Sequence, residues 1–212
     1  MLENNLLKIL GVHDREDTFT NLLAFCFNNS DKFQNLFIKF ISNNSLKLNS
    51  TAKAYTRIST SKSGVPDLII TCKDNHSDTL IILENKLKAD EGKDQTDKYG
   101  SNECRDDLVK RFRLNSDHLK THCYFLTLFP DQRPANETFT PVTYENLIIE
   151  LNLFSGEKNE LVRQLTDNLI ELLTLFYDQG RLQPEDIVLE KLEDSEGMDG
   201  GFLYFTNLLN SL

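Results

Sequence analysis

The sequence predicts an α/β fold: a helix, a three-stranded antiparallel meander, a helix and a fourth strand, with added C-terminal helices. Three observations point there. Apolar runs at residues 68–71 and 80–83 flank the polar turn Lys73-Asp74-Asn75-His76-Ser77-Asp78 and read as a hairpin. Apolar residues recur at helical spacing both well before and well after it. A further strand-like run, Tyr124-Phe125-Leu126-Thr127-Leu128, follows a polar stretch.

Taken in order, Asp14-Arg15-Glu16-Asp17 supplies an N-cap and first-turn acids for a helix through Thr18-Phe19-Thr20-Asn21-Leu22-Leu23-Ala24-Phe25-Cys26-Phe27. That helix is largely apolar, hence buried. A second helix is predicted over 32–41, with Phe33, Leu36, Phe37 and Phe40 on one face packing on the sheet. Residues 52–60 read as a strand before the turn Ser61-Lys62-Ser63-Gly64, and the two hairpin strands complete three in succession. After Lys86, residues 89–98 and 106–112 suggest one broken or two short helices, interrupted by Gly100-Ser101-Asn102. The fourth strand, 121–129, stops at Pro130, and a polar loop follows. Thr143-Tyr144-Glu145-Asn146-Leu147 opens a short helix. A long one over 158–177 places Leu161, Leu165, Leu169, Leu172, Leu173 and Phe176 on one face and ends at Gly180. Residues 1–182 are expected to form one domain, with 183–212 an acidic C-terminal extension whose Phe202-Leu203-Tyr204-Phe205 forms an edge strand or a helical turn.

The chain has 212 residues, enough for one sizeable core, and a net charge of −10. No run approaches the ~20 apolar residues that a bilayer requires. Met1-Leu2-Glu3-Asn4-Asn5 lacks the basic start of a secretory signal, so a cytoplasmic protein without membrane contact is expected. Cys26, Cys72, Cys104 and Cys123 are scattered, which fits reduced structural thiols better than a disulfide framework. Zinc binding by Cys104, His118, His122 and Cys123 fails for want of ligand spacing. The acidity argues against a protein that coats nucleic acid, but its distribution is uneven. From Lys32 to Pro66 there are six basic residues and no acid, whereas from Glu185 to Asp199 seven acids face one lysine. A basic approach leading to Asp67 suits a phosphodiester substrate, although lysines that merely solvate a loop give the same pattern.

Pairing arithmetic brings the charged strand ends together. With the turn centred between Asn75 and His76, Ile70 faces Ile81, Leu68 faces Leu83 and Asp67 faces Glu84. Opposed Cβ atoms lie roughly 4.5–5.5 Å apart, so the two carboxylates must share a proton or a cation. Alternation puts Lys86 on the side of Glu84, while Leu83 and Asn85 point the other way. Burying Glu84 and Lys86 at the end of a greasy strand demands compensation, which Asp67 and a divalent ion would supply. Mg²⁺ (or Mn²⁺) favours such a site because it takes one or two carboxylates plus phosphate oxygens and water. The alternative is a salt-linked strand end in which Lys86 bridges Asp67 and Glu84.

Pro66-Asp67, a hairpin, then Glu84-Asn85-Lys86 resembles the bipartite signature of the PD-(D/E)XK nuclease superfamily, whose fold is restriction-endonuclease-like. The acid-x-Lys triplet alone is weak, since Glu91-Gly92-Lys93 also fits it, but that one sits in a polar, glycine-containing loop. The resemblance implies that Asp67 and Glu84 bind metal and that Lys86 serves the hydrolytic water. It also implies a further metal-binding acid on the first core helix, best matched by Glu16 with Asp17 as the competing assignment. A catalytic Gln95, with Tyr99 four residues on, completes the implied set. The similarity covers residues 14–129, and Asn21-Leu22-Leu23-Ala24 after the acid is similar to a bacterial branch of the superfamily.

The expected function is a metal-dependent nuclease that hydrolyses phosphodiester bonds, in DNA ahead of RNA, in restriction, defence or repair. The alternative is a catalytically inactive nuclease-fold module that binds nucleic acid or protein. The resemblance makes a homodimer an expectation, because many proteins of that fold cut two strands with two sites. The acidic C-terminal segment is where a protein partner would dock.

Overall fold

The structure, a computed structural model, describes residues 5–180 except 14, 75 and 88–90. The expected N-cap Asp14, the turn centre at Asn75, the start of the 89–98 helix, the domain limit at 182 and the whole 183–212 extension lie outside the described residues.

A short helix, α1 (Leu6–Ile9), is capped by Asn5, whose side chain accepts from the N–H groups of Leu7 and Lys8. Four residues carry too little periodicity to be read from sequence. The expected apolar helix is α2 (Glu16–Asn29); its N-cap residue is Arg15, which makes no side-chain capping bond, with Glu16 and Asp17 in the first turn. Ser30 separates it from α3 (Asp31–Ile41) and caps the latter by accepting from Phe33 N–H at 3.0 Å.

The meander is β1 (Lys53–Thr56), β2 (Leu68–Cys72) and β3 (Thr79–Lys86), all antiparallel. β1 is shorter than the expected 52–60 because Arg57 turns into the left-handed region at φ 56, after which a single bridge joins Thr60 to Gly64. Gly64 has φ +95, a conformation glycine takes without strain, and a Cβ there would lie 3.4 Å from the Tyr99 ring. The β2–β3 register is the expected one, with Leu68 opposite Leu83 and Ile70 opposite Ile81.

From β3 the chain crosses one sheet face through α4 (Gln95–Tyr99) and α5 (Asn102–Phe112) into β4 (Lys120–Thr127), which runs parallel to β3. Such a crossover is what a parallel neighbour requires. The expected interruption at 100–102 is real but narrower, since Ser101 caps α5 by accepting from Cys104 N–H. One expectation fails: the polar loop after Pro130 contains a fifth strand, β5 (Phe139–Thr143), parallel to β4. Pro141 hides it, because proline reads as a strand breaker yet is tolerated on an edge strand. The sheet order is β1-β2-β3-β4-β5.

Two helices follow, α6 (Tyr144–Asn152) and α7 (Glu160–Gly180). The second expectation to fail concerns α3, which rests mainly on α2 and α6 rather than on the sheet. The buried stripe of α7 is also rotated: Val162, Leu169, Leu172, Leu173 and Phe176 are buried while Leu161 is 47% exposed. The sheet is covered on both faces. Leu68, Ile70, Ile81 and Leu83 pack with α2, α3, α6 and α7, and Ile69, Leu80 and Ile82 pack with Tyr99, Cys104 and Leu108 of the crossover. All four cysteines are free, and burial pushes the Cys26 and Cys104 thiols up to about 12, as inert core groups. No helix among the described residues is long and apolar enough to cross a membrane.

Phe19 is the keystone of the larger core, fully buried with Tyr144 edge-on at 6.2 Å and Phe176 also at 6.2 Å. Phe19→Ala should cost about 3–5 kcal/mol in urea unfolding. A loss under about 1 kcal/mol would contradict this packing.

Candidate functional site

The β2–β3 register sets the geometry of the sheet end. Continued one step past Leu68 and Leu83, it puts Asp67 opposite Glu84, and the two carboxyl groups interact directly. Asp67 Oδ2 also accepts from the backbone N–H of Asn85 at 2.9 Å. Lys86, two residues along and on the same side, brings Nζ to 2.9 Å from Glu84 Oε1 and 3.7 Å from Glu16 Oε2. Glu16 in turn accepts from Leu87 N–H at 3.0 Å, so the first turn of α2 is fastened to the end of β3. Gln95 donates from Nε2 to Glu84 Oε1, and its own Oε1 accepts from Gly92 N–H at 3.0 Å. Tyr99, one turn on, donates to Val65 O at 3.0 Å and thereby holds the lead-in to Asp67.

Asp67, Glu84, Lys86, Glu16 and Gln95 are thus brought together, with Tyr99 beside them. Of the two candidate helix acids, Glu16 turns to Lys86, whereas Asp17 accepts from Arg57 at 2.6 Å on the neighbouring cavity that Asp67 also lines.

The electrostatics are unbalanced. Three carboxylates, Asp67, Glu84 and Glu16, converge on the single ammonium of Lys86. Burial, then the Asp67 charge, pushes the Glu84 carboxyl up to about 8, against the opposing pull of Lys86. Burial also raises Asp67, partly offset by the Asn85 N–H and Lys86. Burial alone would lower Lys86, but Glu84 foremost, with Glu16 and Asp67, holds it above its ordinary value as a firm cation.

Glu84 is 0% exposed, and its Oε2 receives no N–H among the described residues, so that only a proton shared with Asp67 or a cation satisfies it. A buried carboxylate oxygen facing another carboxylate fits a hard cation. Among the described residues no three His, Cys, Asp or Glu side chains form a complete cage. An ion held by Asp67 and Glu84 would therefore take its remaining ligands from backbone, water or substrate oxygens, as Mg²⁺ commonly does.

The sequence reading missed three supporting groups. Asn85 points to the opposite sheet face, as alternation requires, and is fully buried there. Its Nδ2 donates to Thr20 Oγ1 at 3.0 Å and Glu16 O at 3.3 Å, and its Oδ1 accepts from Tyr144 OH at 2.8 Å. A polar residue in a core-facing position was the available signal; Tyr144 offered none. Glu91 accepts from Thr96 N–H at 2.5 Å and Thr96 Oγ1 at 2.6 Å, and from Ala135 N–H at 2.7 Å, so it pins α4 to the β4–β5 loop. The second acid-x-Lys triplet therefore places its acid in a structural clamp.

A family model described as the PD-(D/E)XK nuclease superfamily matches residues 4–138, a span that includes every residue of the cluster at the sheet end. No curated protein and no solved structure matches the chain.

Two outcomes follow from the charge balance and its support. A raised carboxyl pKa means that the folded chain holds the Glu84 proton more tightly than the unfolded chain. That stability is fully present below about pH 4.5 and is lost as pH rises through about 8. Metal-free Glu84→Gln should therefore melt several degrees above wild type at pH 9, with the gap closing towards pH 4. A gap that does not change with pH would contradict the buried charge. Tyr144→Phe leaves Asn85 Oδ1 buried without its donor and should cost about 1–3 kcal/mol in chemical denaturation.

Proposed function

We propose that this chain, which belongs to the PD-(D/E)XK nuclease superfamily, is a metal-dependent nuclease that hydrolyses phosphodiester bonds in DNA. The observation that carries the reading is the crowding of carboxyl groups at the end of β3: Glu84 and Asp67 interact directly, Glu16 shares Lys86 with them, and Glu84 Oε2 receives no N–H among the described residues, although Lys86 is within 2.9 Å of Oε1. Mg²⁺ or Mn²⁺ bound there would polarise the scissile phosphate and lower the pKa of the attacking water.

The chain's own groups take the remaining roles. Asp67 and Glu84 would hold the ion, with Glu16, which pairs with Lys86 at 3.7 Å, the further acid available to it. Lys86 keeps its proton and offers N–H donors to the attacking water and to charge developing on the phosphate. Gln95 fixes the Glu84 carboxylate by donating to Oε1, which leaves Oε2 for the ion. Tyr99 sets the backbone ahead of Asp67 by binding Val65 O.

Purified protein should cleave DNA in Mg²⁺ or Mn²⁺. Asp67→Ala, Glu84→Ala and Lys86→Ala, each confirmed as folded by circular dichroism, should each lose at least about 100-fold in rate. Cleavage at wild-type rate in those variants would sink the assignment. Calorimetry that finds no divalent-ion site would favour the inert binding module.

A further inference from the structure

A second side of the sheet end is open beside Asp67. There Thr20, Asn21, Thr56, Arg57, Pro66 and Asp67 are among the residues lining a cavity of about 450 Å³. Its walls come from the first half of α2, the end of β1 and the lead-in to β2. Arg57 is the cation of this cavity, and its placement is specific. Its backbone takes φ 56, a left-handed conformation that a long side chain adopts uncommonly and that turns the chain out of β1 at this point. The Thr56 hydroxyl beside it donates to Asn21 Oδ1 at 2.8 Å, which fastens the strand end to α2. The loop beyond is held on its far side, where Arg111 donates to Ser59 O at 2.9 Å and Ser61 N–H donates to Asp107 at 2.7 Å.

The Arg57 guanidinium donates to Asp17 Oδ2 at 2.6 Å, and both side chains are more than 60% exposed. An exposed pair of this kind contributes little to stability, so a phosphate can take the carboxylate's place. A planar guanidinium suits a phosphate oxygen pair better than an ammonium does. The charge pattern agrees, because Arg57 belongs to the acid-free stretch from Lys32 to Pro66 that runs into Asp67.

Resting on the nuclease reading, we infer that Arg57 is a binding residue for a backbone phosphate of the DNA strand next to the scissile one, and that Asp17 occupies its guanidinium until DNA displaces it. Asp17 then acts as a competitor inside the chain: it weakens binding of DNA in general, and loses most of its effect once Arg57 is removed.

The test is binding of a short labelled DNA duplex, without Mg²⁺, over a range of salt concentrations. Arg57→Asn removes the charge while keeping a residue that tolerates the left-handed backbone. It should weaken binding and make the log–log salt dependence shallower by about 0.9, the loss of one phosphate contact. Arg57→Lys should restore most of the salt slope. Asp17→Asn should tighten binding in the wild-type background and have a clearly smaller effect in Arg57→Asn. Wild-type binding with an unchanged slope in Arg57→Asn, or an Asp17→Asn effect of undiminished size without Arg57, overturns the Arg57 assignment while leaving the nuclease reading intact. Wild-type protein that binds no DNA either without Mg²⁺ or with Ca²⁺ in its place overturns both.

Discussion

The register between β2 and β3 is the constraint on which the sheet end depends. It is set by apolar residues, not by the charged ones: Leu68, Ile69, Ile70, Leu80, Ile81, Ile82 and Leu83 are all essentially inaccessible to water. At roughly 25 cal/mol per Å² of apolar surface, the burial of these side chains outweighs anything that Asp67 and Glu84 gain from each other. A slip of one residue would exchange the two faces along the whole strand. Glu84 and Lys86 would then enter the larger core against α2 and α7, and Asn85 would face α4. The greasy part of the hairpin thus holds two carboxylates in contact that would otherwise separate.

The contrast between Asn85 and Glu84 shows where the fold is complete in itself. Asn85 is buried on one face with its backbone N–H and both side-chain polar atoms partnered, by Asp67, Thr20, the Glu16 carbonyl and Tyr144. Its neighbour is buried to the same degree on the other face and has one oxygen without a partner. Buried polar groups in native proteins are as a rule satisfied. The network through Asn85 joins β3, α2 and α6, so the position of Glu84 is held by a fully bonded residue beside it and by Gln95 on its own face. Rigid support behind an incomplete charge balance is the arrangement that binding a cation in fixed geometry requires.

Much of this was legible because it follows from period-two alternation and turn arithmetic, which are local. The pairing of Asp67 with Glu84, the shared side of Glu84 and Lys86, and the reversed direction of Asn85 all come from counting. Residues Gln95 and Tyr99 were legible only through likeness to a family, since two polar residues at i and i+4 also describe any solvated helix face. What was not legible depends on tertiary setting. β5 is hidden by Pro141, which only an edge position accommodates. Leu161 fits the apolar stripe of α7 as well as Leu165 does, yet the helix is rotated so that Val162 takes the buried place. The left-handed turn at Arg57 had no signal at all, because nothing in the run Tyr55-Thr56-Arg57-Ile58 departs from a strand-like composition.

Those same unread features are the ones that shape the approach to the sheet end. Three polar clamps fix its borders: Glu16 ties α2 to Leu87, Glu91 ties α4 to the β4–β5 loop, and the Ser59 and Ser61 contacts tie the β1–β2 loop to α5. Each clamp joins segments distant in sequence through side chain–backbone bonds, which no periodicity encodes. The Glu16 clamp also acts on the site, through Lys86 and Asp67; Glu91 and Asp107 are held below the usual carboxylate range, by hydrogen bonds from Thr96 and Ala135 that outweigh burial in the one case and from Ser61 in the other. The unsatisfied negative charge is concentrated at Asp67 and Glu84. On the function proposed above, a divalent ion bound there would reverse the local sign, and a chain that is acidic overall could then receive a polyanion.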